Sequence, residues 1–229
     1  MIFGGLEKTT LIDYPGKVAS LVYTIGCNFR CPFCHNPELV DETVETRYPE
    51  EEILEFLKKR RAMVDALVIT GGEPTMHGKD LLSFMRKVKT LGIFIKLDSN
   101  GTEPGVLRKA IAEKLVDYIA MDIKAPLAKY AKTVNHPVDT EAIKKSVKLL
   151  MTSSVPYEFR TTLVKSLTTP EDLEQIGKEI EGAEKYYLQK FISTKILNPQ
   201  FRRKTTYDDE ELEALRVKMS KYVKFCGIR

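Results

Sequence analysis

The chain has 229 residues, 43% of them hydrophobic, enough to bury one sizeable core, and it reads as a single domain over residues 1–229. Its 36 basic and 32 acidic residues leave a net charge of +4, too mild a balance to point to nucleic acid. No apolar run reaches the length of a membrane span and Met1-Ile2-Phe3 does not open a signal peptide, so the four cysteines are expected as thiols in a reducing cytosol, away from any membrane.

Leu6 to Tyr14 reads as a short flanking strand ending at the Tyr14-Pro15-Gly16 turn. Residues 17–25 read as a second strand, which runs directly into Gly26-Cys27-Asn28-Phe29-Arg30-Cys31-Pro32-Phe33-Cys34-His35-Asn36-Pro37. Three of the four cysteines fall within eight positions here, at C-x3-C-x2-C spacing. Pro32 and Pro37 keep the stretch out of a regular helix, so it is a loop whose thiols can converge on one object. That object is an iron–sulfur cluster or a metal ion. Three thiolates on a [4Fe–4S] cluster would leave one iron open to a small molecule. The alternative is a zinc-binding interaction module in which His35 or Cys226 completes a tetrahedron, although zinc loops pair their cysteines and no second pair is present. Phe29 and Phe33 could shield the centre, His35 and Asn36 could cap the turn that follows, and Cys226 reads as a spectator.

Farther along, a helix is expected near 50–61, with Ile53, Leu54 and Leu57 on one face and acidic residues at its start. A buried strand, Ala66 to Thr70, enters Gly71-Gly72-Glu73-Pro74. A helix near 79–91 and a strand at 93–97 lead to Asp98-Ser99-Asn100-Gly101. A helix at 104–115 precedes a strand at 117–121 that ends in Asp122-Ile123-Lys124. A helix at 139–151, a strand at 157–164 carrying Arg160 and a helix at 170–181 come next, the last opened by Thr169-Pro170-Glu171-Asp172. A strand at 186–192 carrying Gln189 and a helix at 208–224 close the chain. The basic runs Lys58-Lys59-Arg60-Arg61 and Arg202-Arg203-Lys204 read as solvated faces or as a docking patch for an acidic protein.

Six strand-to-helix units in succession imply an α/β fold of parallel strands with outer helices. Six fall short of the eight that close a full barrel, so the expectation is a partial (β/α)6 barrel, with a doubly wound sheet as the rival. In either architecture functional groups collect at the carboxyl ends of the strands. The cysteine loop, Gly71 to Pro74, Asp98 to Gly101, and Asp122 with Lys124 follow four successive strands, which places them in one constellation. Gly-Gly allows close approach of backbone to a ligand, and the Glu73 carboxylate suits an ammonium group.

Cys27, Cys31, Phe33 and Cys34 form a C-x3-C-x-aromatic-C pattern that resembles the signature of the radical S-adenosylmethionine enzymes. His35-Asn36-Pro37 resembles the narrower group that activates glycyl radical enzymes. Thr10-Leu11-Ile12-Asp13-Tyr14-Pro15-Gly16-Lys17-Val18-Ala19 looks most like the longer form of the anaerobic ribonucleoside-triphosphate reductase activating proteins, with the pyruvate formate-lyase activating enzymes close behind. The resemblance implies a [4Fe–4S] cluster on Cys27, Cys31 and Cys34, with Phe33, His35 and Asn36 near it. It also implies that Gly71, Gly72, Glu73 and Pro74 take the amino group of S-adenosylmethionine. Asp98 and Asn100 match an Asp-Thr-Asn-Gly segment in which Ser99 stands for threonine. Asp122 and Lys124 match an Asp-x-Lys placed near the methionine carboxylate, which Arg160 could help to hold. Gln189 stands where several activating enzymes carry a histidine.

The activity so implied is reductive cleavage of S-adenosylmethionine under anaerobic conditions, giving methionine and a 5′-deoxyadenosyl radical that takes hydrogen from a glycine Cα of a partner glycyl radical enzyme. The electron would come from a flavodoxin- or ferredoxin-type donor. A radical enzyme acting on a small molecule, of the deazapurine synthase type, is the remaining enzymatic alternative.

Overall fold

The computed structural model describes residues 1–229. β1 (Ile2–Thr10) and β2 (Ala19–Thr24) precede the cysteine loop, and a single turn, α1 (Pro37–Val40), and a short strand, β3 (Tyr48–Pro49), follow it. The chain then alternates through α2 (Glu50–Arg60), β4 (Ala66–Gly71), α3 (Gly78–Thr90), β5 (Phe94–Ser99), α4 (Pro104–Ala112) and β6 (Tyr118–Asp122). It continues with α5 (Tyr130–Val134), α6 (Thr140–Thr152), β7 (Tyr157–Leu163), α7 (Pro170–Glu179), β8 (Tyr186–Lys190), α8 (Asp209–Met219) and β9 (Cys226–Ile228).

All strands join one sheet in the order β3-β1-β2-β4-β5-β6-β7-β8-β9. Neighbours from β2 to β9 are parallel, and β1 pairs antiparallel with β2 and β3. A doubly wound sheet reverses its strand order at a switch point. Here the parallel strands follow chain order from edge to edge, so the sheet curls in one direction as a partial barrel with its helices outside.

Burial on both faces explains why the strands read as apolar runs. Leu67 and Ile69 of β4 pack into the core between sheet and helices, whereas Val68 joins Tyr14, Ala19, Leu21, Ala66 and Tyr118 in a smaller cluster on the opposite face. Each such aliphatic side chain contributes roughly 1.5–3 kcal/mol by leaving water. The helix starts follow local chemistry: Thr169 and Asp172 form a capping box around Pro170, and Asp208 with Glu211 form another at α8.

Several boundaries differ from those expected by two residues or more, including α7, which stops at Glu179, and β5, which runs on to Ser99. The first strand spans Ile2–Thr10, because Phe3 is fully buried against Phe84 (ring centroids 4.8 Å apart) while Leu11 and Ile12 face solvent. α4 stops at Ala112, and Lys114 takes a left-handed conformation with φ 55°. The strand carrying Gln189 stops at Lys190. α8 ends at Met219, after which the chain re-enters the sheet as β9 beside β8. α1, α5, β3 and β9 are too short for a hydrophobic period to reveal. No helix is long and apolar enough to cross a membrane.

Candidate functional site

The carboxyl ends of β2 and β4 lie side by side, with Thr24 paired to Gly71, so the cysteine loop and the Gly71-Gly72 turn leave the sheet together. Gly72 N–H donates to Thr24 O at 2.9 Å and Glu73 N–H to Gly26 O at 2.8 Å. The two backbones are so close that a Cβ on Gly72 would lie 1.9 Å from Gly26 O, and Gly71 adopts φ 128°. Glycine is required at both positions for the loops to meet.

Cys27, Cys31 and Cys34 are free thiols that line one cavity of about 200 Å³. Phe29 and Phe33 line it too, and Phe29 rests on buried Tyr130, ring centroids 6.1 Å apart. Burial pushes the Cys27 thiol up to about 11 and the Cys31 thiol up to about 12, and raises Cys34 as well. Lys124 opposes the shift without cancelling it. The protein alone therefore favours neutral thiols, and iron is the partner that would convert them to thiolate ligands.

Glu73 is buried at the back of the cavity. Its Oε1 accepts Thr75 N–H at 3.0 Å, Thr75 Oγ1–H at 2.5 Å and Ser99 Oγ–H at 2.9 Å, while Oε2 accepts Asn100 N–H at 2.6 Å. Burial raises its carboxyl above the usual range despite these donors. The carboxylate thus ties the end of β4 to the end of β5. Asn100 is braced from the other side: its Nδ2 donates to Asn28 Oδ1 at 2.8 Å, and its Oδ1 accepts from Thr102.

An ion-pair ladder crosses three strands and lends Asp98, Asp122, Lys124 and Arg160 to the same cavity. Lys96 Nζ lies 2.5 Å from Asp98 Oδ1, and Asp98 Oδ2 is 3.1 Å from Arg160 Nη1. Arg160 Nε donates to Asp122 Oδ1 at 2.9 Å, and Asp122 Oδ2 is 2.9 Å from Lys124 Nζ. Burial alone would raise both aspartate carboxyls, but the cations outweigh it: Arg160 and Lys96 lower Asp98, and Arg160 and Lys124 hold Asp122 well below the carboxylate range. With three cations against two carboxylates, the ladder carries one unit of positive charge.

Cys27, Cys31, Phe33, Cys34, His35, Asn36, Gly71, Gly72, Glu73, Asp98, Asn100, Asp122, Lys124 and Arg160 all border this cavity. Pro74 and Gln189 do not. Pro74 begins a buried 3-10 turn, and Thr162, in register with Gln189 on the next strand, lines the cavity instead. Asn36 occupies the cap position of α1 without a side-chain capping bond, and the His35 ring meets Ile192 O, Nε2 to oxygen 2.7 Å. Sequence reasoning passed over Lys96, Asn28, Thr75 and Thr162. Only a lysine within an apolar strand, at the alternate position to buried Ile95 and Leu97, offered a signal.

The donor set fits a cluster better than a single ion. No three His, Cys, Asp or Glu side chains are arranged to hold one metal ion. Cys226 is buried on β9 away from the cavity, so it does not complete a zinc tetrahedron, and the Nε2 of His35 is engaged with Ile192 O.

The sequence pattern of the Radical SAM superfamily matches residues 21–180. A Methanocaldococcus jannaschii protein with the provisional name glycyl-radical enzyme activating enzyme is 33% identical over 237 residues, covering 100% of this chain and 95% of that protein. A pyruvate formate-lyase-activating enzyme of Clostridium pasteurianum is 25% identical over 231 residues, covering 96% of this chain and 95% of that one. Among solved structures, a radical SAM methyltransferase from Sphaerobacter thermophilus has a TM-score of 0.73 at 16% identity, covering 96% of this chain and 68% of that one, a likeness of fold alone.

Proposed function

This chain belongs to the radical SAM superfamily, and on that footing we propose that it is the activating enzyme of a glycyl radical enzyme, the partner being anaerobic ribonucleotide reductase. It is an enzyme whose cofactors are a [4Fe–4S] cluster and S-adenosylmethionine. Bound, these supply one-electron cleavage of the sulfonium C–S bond, which yields methionine and a 5′-deoxyadenosyl radical able to take a hydrogen atom from a glycine Cα.

Cys27, Cys31 and Cys34 would hold the cluster through their thiolates. The backbone carbonyls around Gly71 and Gly72 would receive the ammonium of S-adenosylmethionine, with Glu73 fixing their position through its bonds to Thr75, Ser99 and Asn100. Lys124 and Arg160 would take the methionine carboxylate, whose charge matches the surplus on the ladder. Phe29 and Phe33 exclude water beside the thiols. A flavodoxin- or ferredoxin-type protein supplies the electron.

The observation that carries this reading is the cavity itself: three free thiols and Asp98, Asp122, Lys124 and Arg160 of the positively charged ladder line the same cavity. Full-length similarity to the M. jannaschii protein supports an activating role, and the stretch Thr10–Ala19 favours the reductase as partner. Similarity to the C. pasteurianum enzyme over nearly the whole chain favours pyruvate formate-lyase as a second reading.

The test is to incubate the anaerobically reconstituted protein with S-adenosylmethionine, a reductant and either anaerobic ribonucleotide reductase or pyruvate formate-lyase. A glycine-centred radical signal is expected on the reductase. A signal on pyruvate formate-lyase alone would transfer the assignment. Cleavage of S-adenosylmethionine with no protein radical in either arm would refute an activating role.

A further inference from the structure

The basic run Arg202-Arg203-Lys204 has no part in the site described above, yet it lies on a segment tied to the cysteine loop. Beyond β8 the chain from Phe191 to Lys204 crosses that loop as a strap. Leu197 N–H donates to Cys34 O at 2.9 Å and Asn198 N–H to Pro32 O at 3.0 Å. Ile192 O lies 2.7 Å from His35 Nε2, and the His35 ring stacks on Phe191 with centroids 6.0 Å apart. Lys195 pairs with Glu38 at 2.8 Å, and Ile196 is buried as an apolar anchor. No residue of the strap lines the cavity, so the strap reaches the cysteine loop from outside it.

The strap carries charge that nothing in the chain satisfies. Lys165, Lys190 and Lys195 are each matched by a carboxylate, from Glu211, Asp209 and Glu38. Arg202, Arg203 and Lys204 are exposed and form no ion pair, and Ile192, on the same strap, is 60% exposed. Three adjacent unmatched cations repel one another, and an acidic surface relieves that repulsion. We propose, on the basis of the redox site read above, that residues 191–204 form the docking surface for an acidic one-electron carrier protein. A glycine-bearing protein substrate must reach the cavity, which the strap does not line. An electron needs only a short path, and the strap is hydrogen-bonded directly to the carbonyls of Cys34 and Pro32. In the transfer the carrier is oxidised by one electron and the site is reduced by one, with no bond made or broken in either protein.

The test compares the parent enzyme with an Arg202→Glu/Arg203→Glu/Lys204→Glu variant, and with an Arg202→Lys/Arg203→Lys variant that keeps the charge. Binding of an acidic bacterial flavodoxin is measured by calorimetry at low and high salt, on cluster-free and cluster-loaded protein. Charge reversal should weaken binding at low salt by at least about tenfold and flatten its salt dependence, while the lysine variant binds as the parent does. Reduction by flavodoxin hydroquinone should slow in parallel, and reduction by dithionite should not change. Equal flavodoxin binding by parent and reversed variant, or equal slowing with dithionite, would overturn the docking surface. Failure of the dithionite-reduced parent to cleave S-adenosylmethionine would instead overturn the reading of the site, and flavodoxin binding would still decide the surface.

Discussion

Arg160 on β7 reaches Asp98 on β5 across the strand between them, Nη1 to Oδ2 3.1 Å, while its Nε holds Asp122 on that intervening strand. The residue of β6 paired with Asp98 is Ala120, whose small side chain leaves room for the long arginine to pass over it. A flat sheet would hold β5 and β7 two strand spacings, roughly 10 Å, apart.

Arg160→Lys therefore keeps the charge and loses the bridge. One ammonium cannot replace a planar fork that engages two carboxylates on different strands. The expected outcome is affinity for S-adenosylmethionine reduced by about tenfold, equivalent to about 1.4 kcal/mol, with the cluster still loaded. Calorimetric titration alongside iron analysis checks it, and unchanged affinity would show that other groups hold the carboxylate.

The aspartates also set an acid limit on stability. Asp98 and Asp122 have carboxyls lowered in the folded protein, so their contribution is fully present above the unfolded aspartate value, about pH 4, and is lost as pH falls through the lower folded values. Urea unfolding of the cluster-free protein should show a falling midpoint from about pH 4 downward. Asp122→Asn should be less stable at neutral pH and show a shallower decline. An equally steep acid limb in that variant would locate the acid sensitivity elsewhere.

Glu73→Gln preserves volume but exchanges an acceptor for a donor. Whichever way the amide turns, its NH2 faces either Asn100 N–H or the Thr75 and Ser99 donors, leaving buried groups opposed. The expected cost is about 1–3 kcal/mol of stability, with weaker binding of S-adenosylmethionine because the Gly71-Gly72 turn loses its brace. Chemical denaturation and ligand titration measure the two effects, and a variant as stable as the parent would contradict the bracing role.

Gly72→Ala should prevent the cysteine loop from seating, since the added methyl meets backbone at Gly26 that has no room to yield. Iron content after reconstitution should fall to a small fraction of the parent's. Gly105→Ala, in α4 with no atom within 4 Å of the added Cβ, is the matched control and should load iron normally. Equal loading in both variants would remove the close-approach requirement.

The local and periodic features were legible from the residues alone. The C-x3-C-x2-C loop, the apolar strands ending in Gly71-Gly72, Asp98 and Asp122, and the capped start of α7 depend on near neighbours in the chain, so residue type and spacing announce them. Their meeting at one end of the sheet was legible too, because parallel strands joined by helices point their carboxyl ends the same way.

What depended on long-range packing was not. β9 runs for only three residues and owes its place to pairing with β8, so no period marks it. Lys96 is two residues from Asp98 and shares its face of β5, but its burial and the link of that pair to Arg160 follow from the packing of β5 beside β6 and β7. Thr162 lines the cavity and Gln189 does not, although the two are paired in register, since what reaches a cavity depends on where each strand ends and how it tilts. The sequence by itself determined which chemical groups the chain carries and which end of the barrel they share. Only the tertiary structure decided which of them touch, because those contacts join residues far apart in the chain, as Asn28 meets Thr102, 74 positions away, and His35 meets Ile192, 157 positions away, and no local preference encodes such a distance.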